Sequence, residues 1–167
     1  MKNGFVKVAA ATAEIRVADV AYNMEKILEA MKETERQGAK VVVFPELCLT
    51  GYTCGDLFCQ ELLLKRTKEA VHILAEATEH MDGLFFVGAP LEIEHKLYNT
   101  AVVLNHGAIL GIVTKTFLPN YGEFYDMRQF QPGPAEAKWI LFDGERIPFG
   151  PQLLFQAVTM EELVVSA

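Results

Sequence analysis

Three short, nearly uninterrupted apolar runs, spaced by segments of helical period, constrain this chain most. They are VKVAAAT at 6–12, VVVFPE at 41–46 and LFFVGAP at 84–90. Each reads as a strand. In VVVFPE the polar alternation of a half-exposed hairpin is missing, which fits a strand covered on both faces. Between the first two runs the period changes. Met24, Ile27, Leu28 and Met31 recur at three- and four-residue steps, with Glu25, Lys26, Glu29, Lys32 and Glu33 among them. That spacing predicts a helix over Val20–Gln37 with one dry face. Asp19 stands where a cap belongs, and Gly38 where the helix must end. A second helix is expected from about Gln60 to Glu79, with Ala70, Ile73, Leu74 and Ala77 on its packed face.

Further along, LYNTAVVLNHGAILGIVTK reads as two strands joined at Asn105-His106-Gly107, and Asp143-Gly144 marks another hairpin. TFLPNYGEFYDMRQFQPGP is a long polar-aromatic loop of the kind that lines active sites on α/β scaffolds. LVVSA, at the end, is strand-like. The order β-α-β-α-β followed by hairpins predicts an α/β protein of stacked helix and sheet layers. Periodicity leaves other α/β and α+β arrangements open. With 167 residues, 51% apolar and 22% charged, the chain has the composition of one folded core. Its net charge of −7 argues against a general nucleic-acid or anionic-membrane surface. Lys7, Glu14 and Arg16 interrupt the amino-terminal apolar stretch too soon for a signal peptide. No window approaches the roughly 20 apolar residues of a membrane span. A cytoplasmic location is the expectation.

Polar residues at the ends of the apolar runs carry the candidate chemistry. Glu46 closes VVVFPE before a glycine-containing loop; it is either a base, if burial raises its pKa, or a carboxylate bonded to loop amides. Lys115 closes AILGIVTK; it either stabilises an oxyanion or faces water. Glu123, eight residues on, either orients Lys115 or a substrate amine, or lies on the loop surface. Cys48, Cys54 and Cys59 are odd in number and lack metal-ligand spacing, so reduced thiols are expected. Cys54, beside Gly55, is the most nucleophile-like by placement, but reads better as non-catalytic. His72, His80, His95 and His106 form no ligand motif, and no glycine-rich phosphate cradle is present, so neither metal nor cofactor is expected within these residues.

Taken together, VVVFPELCLTGYTCGDLF and KTFLPNYGEFYDMRQFQPG resemble the nitrilase superfamily of carbon–nitrogen hydrolases. More narrowly, they resemble the glutaminase domains of the glutamine-dependent NAD synthetases. The resemblance covers nearly the whole chain and implies an α-β-β-α sandwich, of which residues 1–167 are an incomplete part. It implies that Glu46 is a general base, Lys115 stabilises the tetrahedral intermediate and Glu123 is a supporting carboxylate. Tyr52, Tyr121 and Phe124 are implied to line the substrate pocket, with glutamine as substrate. Such domains carry their nucleophilic cysteine after a strand like LVVSA. None of Cys48, Cys54 and Cys59 matches that position, so the chain alone is expected to be inactive. ATP and magnesium are implied only for a separate synthetase domain that takes up the ammonia, and the full-length form is implied to be a homo-oligomer. Two other readings stay open: another carbon–nitrogen hydrolase such as an amidase or carbamoylase, or a non-catalytic binding or assembly module.

Overall fold

A computed structural model describes residues 5–158 and 163–167. Three strands alternate with two helices: β1 (Val8–Ala10), α1 (Val20–Arg36), β2 (Val41–Val43), α2 (Glu61–Ala77) and β3 (Leu84–Ile93). There follow β4 (Lys96–Asn105), β5 (Ala108–Thr114), the single turn α3 (Asp126–Gln129), β6 (Lys138–Phe142), β7 (Glu145–Gly150), β8 (Leu154–Gln156) and β9 (Val164–Ser166). Among the described residues, seven strands make one mixed sheet in the order β1-β2-β3-β4-β5-β7-β6, and β8 pairs with β9 in a second, small sheet. β1, β2 and β3 run parallel because a helix carries each crossover between them.

The antiparallel part turns on two-residue loops with positive φ at both positions: His106-Gly107 at 46° and 81°, and Asp143-Gly144 at 48° and 91°. Such turns match the twist of the strands they join. A third, Glu94-His95 at 51° and 61°, uses neither Gly nor Asn, so its sequence gives no turn signal. It carries β3 past Pro90 to Ile93. Pro90 faces Asn99 on β4, and the Asn99 carbonyl turns the other way to accept the Lys115 amide at 2.9 Å, so β4 loses nothing there to the missing Pro90 N–H.

Both helices begin and end close to where their sequences place them. The Asp19 carboxylate accepts from the Tyr22 amide at 3.2 Å, capping α1. At the far end Gly38 adopts φ 77°, and the Gly38 and Ala39 amides donate to Glu35 and Thr34 carbonyls at 2.8 and 3.0 Å. That is the paired-bond ending only a left-handed residue permits. Ile27 and Met31 of α1 and Val71 and Leu74 of α2 are fully buried in one cluster with Val42, Phe85 and Val87 of the sheet. Each such side chain contributes roughly 1.5–3 kcal/mol.

Two expectations need correcting. Ile73 is 46% exposed, because the buried stripe of α2 runs through Leu63, Thr67, Ala70, Val71 and Leu74. One position from Leu74 is about 100° around a helix, which turns Ile73 out of the interface. Among the described residues the β2 strand is fully covered on one face only, with Val42 buried and Val43 48% exposed. The β8–β9 sheet supplies the second covering layer, where Phe155 meets Phe86 edge-on at 5.9 Å. Among the described residues that layer leaves Val43 and Val8 bare. None of the helices of the described residues is long and apolar enough to cross a membrane.

Candidate active site

Glu46 sits in the turn that follows β2, and that turn rests directly on β3. A Cβ on Gly88 would lie 2.5 Å from the Leu47 amide nitrogen and closer still to the Pro45 carbonyl oxygen. Only glycine allows two backbones to approach so nearly. The Gly88 carbonyl accepts from the Leu49 amide at 3.2 Å and from the Cys48 thiol at 3.5 Å. The fully buried Asn23 clamps the turn from the other side. Its amide donates to the Leu49 carbonyl at 3.0 Å and the Arg16 carbonyl at 2.8 Å, while its oxygen accepts from the Arg16 amide at 2.6 Å. A buried polar side chain on a helix's dry face is stable only when satisfied in this way.

Lys115 follows β5 and points at the same place. Its Nζ lies 2.6 Å from Glu46 Oε1 and 3.0 Å from Asp126 Oδ2, so the two residues that close separate apolar runs meet. Burial alone would push the Lys115 pKa down. The bonds to Glu46 and Asp126 outweigh it and hold the ammonium above the ordinary lysine value. Asn99 Nδ2 donates to the same Oε1 of Glu46. Tyr52 donates to Asp126 Oδ1 at 2.6 Å, and its own pKa is raised by burial first, then by that bond and the nearby carboxylates.

The second carboxylate on Lys115 is thus Asp126 and not Glu123. Asp126 opens α3, its amide bonded back to the Pro119 carbonyl at 3.2 Å, and this turns its side chain inward until it is 5% exposed. Glu123, three residues earlier, is exposed and makes no hydrogen bond or ion pair among the described residues. It lines the rim of a cleft of about 400 Å³ whose wall includes Tyr52, Asp56, Asp126 and Arg128. Arg128 closes that wall with bonds of 3.1 and 3.0 Å to Asp56. Tyr121 and Phe124 pack edge-on at 5.7 Å, and Tyr121 is 72% exposed, so these two stand outside the cleft lining while Tyr52 belongs to it.

The thiols lie apart from the pair. Burial pushes the Cys48 thiol up to about 12, and it donates a hydrogen bond to the Gly88 carbonyl. Burial also raises Cys54, which donates to the Thr50 carbonyl at 3.1 Å. Cys59 is exposed. Sequence reasoning missed Asn99, Asp126, Asn23 and Gly88. Asn99 did leave a signal, an amide side chain inside the apolar strand LYNTAVVL.

A carboxylate paired with a high-pKa ammonium and joined through Asp126 to the wall of a cleft, on a mixed sheet backed by two helices, belong to one class of fold and site. The model of the carbon–nitrogen hydrolase family matches residues 7–154, and the chain belongs to that family. Among curated proteins it is 40% identical over 162 residues to the glutamine-dependent NAD(+) synthetase of Mycobacterium leprae (strain TN), covering 97% of this chain and 24% of the relative. It is 38% identical over 133 residues to that of Aquifex aeolicus (strain VF5), covering 80% of this chain and 23% of the relative. The chain therefore spans about a quarter of the length of these relatives. The crystal structure of a glutamine-dependent NAD(+) synthetase from Cytophaga hutchinsonii superposes with a TM-score of 0.84 at 27% identity, covering 91% of this chain and 26% of that one. An amidase of the nitrilase superfamily from Nesterenkonia AN1 shares the fold at TM-score 0.68 and 22% identity, covering 86% and 54% of the two chains.

Proposed function

We propose that this chain carries the base and the oxyanion-stabilising lysine of a glutamine-hydrolysing site that supplies ammonia for NAD synthesis. The observation that carries the reading is the contact of Lys115 with Glu46 at 2.6 Å, tied through Asp126 to the wall of the cleft. The likeness to NAD synthetases supports glutamine as the substrate.

In this reading a thiol sulfur attacks the side-chain carbonyl carbon of glutamine as Glu46 takes the thiol proton. The carbonyl π pair moves to oxygen, where the Lys115 ammonium meets the developing charge. Collapse of the tetrahedral intermediate breaks the C–N bond, and Glu46 returns the proton to the leaving ammonia. Water then attacks the thioester, releasing glutamate and restoring the thiol. Cys48 and Cys54 are both committed to backbone carbonyls and raised by burial, and none of Cys48, Cys54 and Cys59 matches the position that the family resemblance implies for the nucleophile, so this reading takes the thiol from outside these 167 residues. Asp126 takes the supporting part that the sequence suggested for Glu123. The ammonia passes to a separate synthetase domain, and ATP and magnesium serve that reaction and not this site.

The test measures ammonia and glutamate from glutamine, using the 167-residue chain and a longer one that continues past Ala167. Turnover is expected only in the longer chain, lost with Glu46→Gln and kept with Cys54→Ala. Turnover by the short chain that vanishes with Cys54→Ala would overturn the assignment of the nucleophile. A longer chain that cleaves simple aliphatic amides but not glutamine would favour an amidase.

A further inference from the structure

Asn99 hydrogen-bonds to both members of the reactive pair, with different groups. The register Ala101↔Val113 and Thr100↔Thr114, continued by one step, sets Asn99 opposite Lys115. There the Asn99 carbonyl accepts the Lys115 amide at 2.9 Å, and the Asn99 side-chain amide donates to Glu46 Oε1. Asn99 is only 3% exposed. An amide nitrogen can only donate, so it fits a carboxylate. Turned the other way, the amide would set its carbonyl oxygen against an anion.

We infer that Asn99 is a positioning residue that decides which oxygen of Glu46 takes the nucleophile's proton; this rests on Glu46 being the base. Oε1 receives two donors, Asn99 Nδ2 and Lys115 Nζ, which occupy its lone pairs. Oε2 receives no hydrogen bond among the described residues, and the Glu46 side chain is 42% exposed. Oε2 is therefore the oxygen left with its lone pairs unengaged among the described residues. Lysine alone would not fix this choice, because an ammonium on a flexible stem follows either oxygen as the carboxylate rotates. The amide on a rigid strand does not follow. A base must reach its proton at hydrogen-bond distance, so holding one oxygen back presents the other.

Carbon- and nitrogen-labelled 167-residue chain tests the tether without any turnover. As pH is lowered, the Asn99 side-chain amide resonances are expected to move with the same midpoint as the Glu46 carboxyl carbon, and to lose that inflection in Glu46→Gln. An Asn99 amide that ignores the Glu46 titration overturns the inference. In the longer, glutamine-cleaving chain, Asn99→Ala is expected to lower kcat about 100-fold, the scale of a small misplacement of a reacting group, with KM held within about twofold. A loss carried by KM alone, or none, overturns the positioning role. Should the unsubstituted longer chain fail to cleave glutamine, the substrate assignment falls, while the labelled-amide result still decides the tether.

Discussion

Tyr52 and Asp126, 74 residues apart in sequence, are joined by a phenol-to-carboxylate hydrogen bond of 2.6 Å. It ties the segment after Glu46 to the loop after Lys115, with Asp126 shared between Tyr52 and the lysine. The phenol's high pKa comes first from burial and then from Asp126. Asp126→Asn should therefore let Tyr52 ionise at a lower pH, only part of the way back to an ordinary tyrosine. Ultraviolet difference titration, with Tyr52→Phe to assign the signal, checks this; an unchanged Tyr52 titration would remove Asp126 as a cause.

Lys115 binds its proton more tightly in the fold than in the unfolded chain. A raised folded pKa adds stability below the ordinary lysine value of 10.5, and that stability is lost as pH rises through the folded value. The stability gap between the unsubstituted chain and Lys115→Met should hold steady through neutral pH and narrow above about pH 10.5. Urea unfolding across an alkaline series measures it. A gap that widened there would contradict the assignment.

Two glycines should respond differently to alanine. Gly38 has nothing within 4 Å of an added Cβ but adopts φ 77°, so Gly38→Ala costs about 1 kcal/mol through backbone conformation alone. Gly88→Ala must move the Glu46 turn or β3 and is expected to cost about 1–3 kcal/mol. It should also abolish glutamine turnover in the longer chain. Denaturant melts of both variants, with the assay on the second, separate stability from site geometry.

Alkylation of the native chain should modify Cys59 first. Cys48, raised to about 12 and buried, and Cys54, buried and raised, should stay protected until the chain unfolds. Peptide mass spectrometry after brief iodoacetamide treatment at pH 8 reads this directly. Rapid native labelling of Cys54 would reopen it as a nucleophile.

The packed face of α2 offers a sharper test of the core. Leu74→Ala is expected to cost about 2–5 kcal/mol, whereas Ile73→Ala should stay within about 0.5 kcal/mol. Equal losses would mean that the helix is rotated about its axis.

Much of the scaffold was legible because its signals are local. Asp19 and Gly38 mark the ends of α1 by capping chemistry, and His106-Gly107 and Asp143-Gly144 mark hairpins by φ preference. The Glu94-His95 turn was not legible, since neither residue favours positive φ and only the pairing of β3 with β4 enforces it. The Ile73 error came from a few apolar residues that did not fix the phase of the helix; the buried Thr67 fixes it. At the site, Glu46 and Lys115 stood out because each ends an apolar run. Asp126 could not be told from Glu123, because the choice depends on the inward turn of α3, a tertiary outcome. Gly88 was invisible for the same reason, as its constraint comes from a chain segment some forty residues away.

The Glu46 turn seated on Gly88 divides what can drift over generations from what cannot. Two backbones in contact fix the height of Glu46 above the sheet, with no side chain between them to exchange for a larger or smaller one. The cleft wall hangs from side-chain bonds, Tyr52 to Asp126 and Arg128 to Asp56, each replaceable singly. Descendants of this chain are thus free to reshape the cleft by ordinary point substitutions. The elevation of the carboxylate is inherited with the strand beneath it.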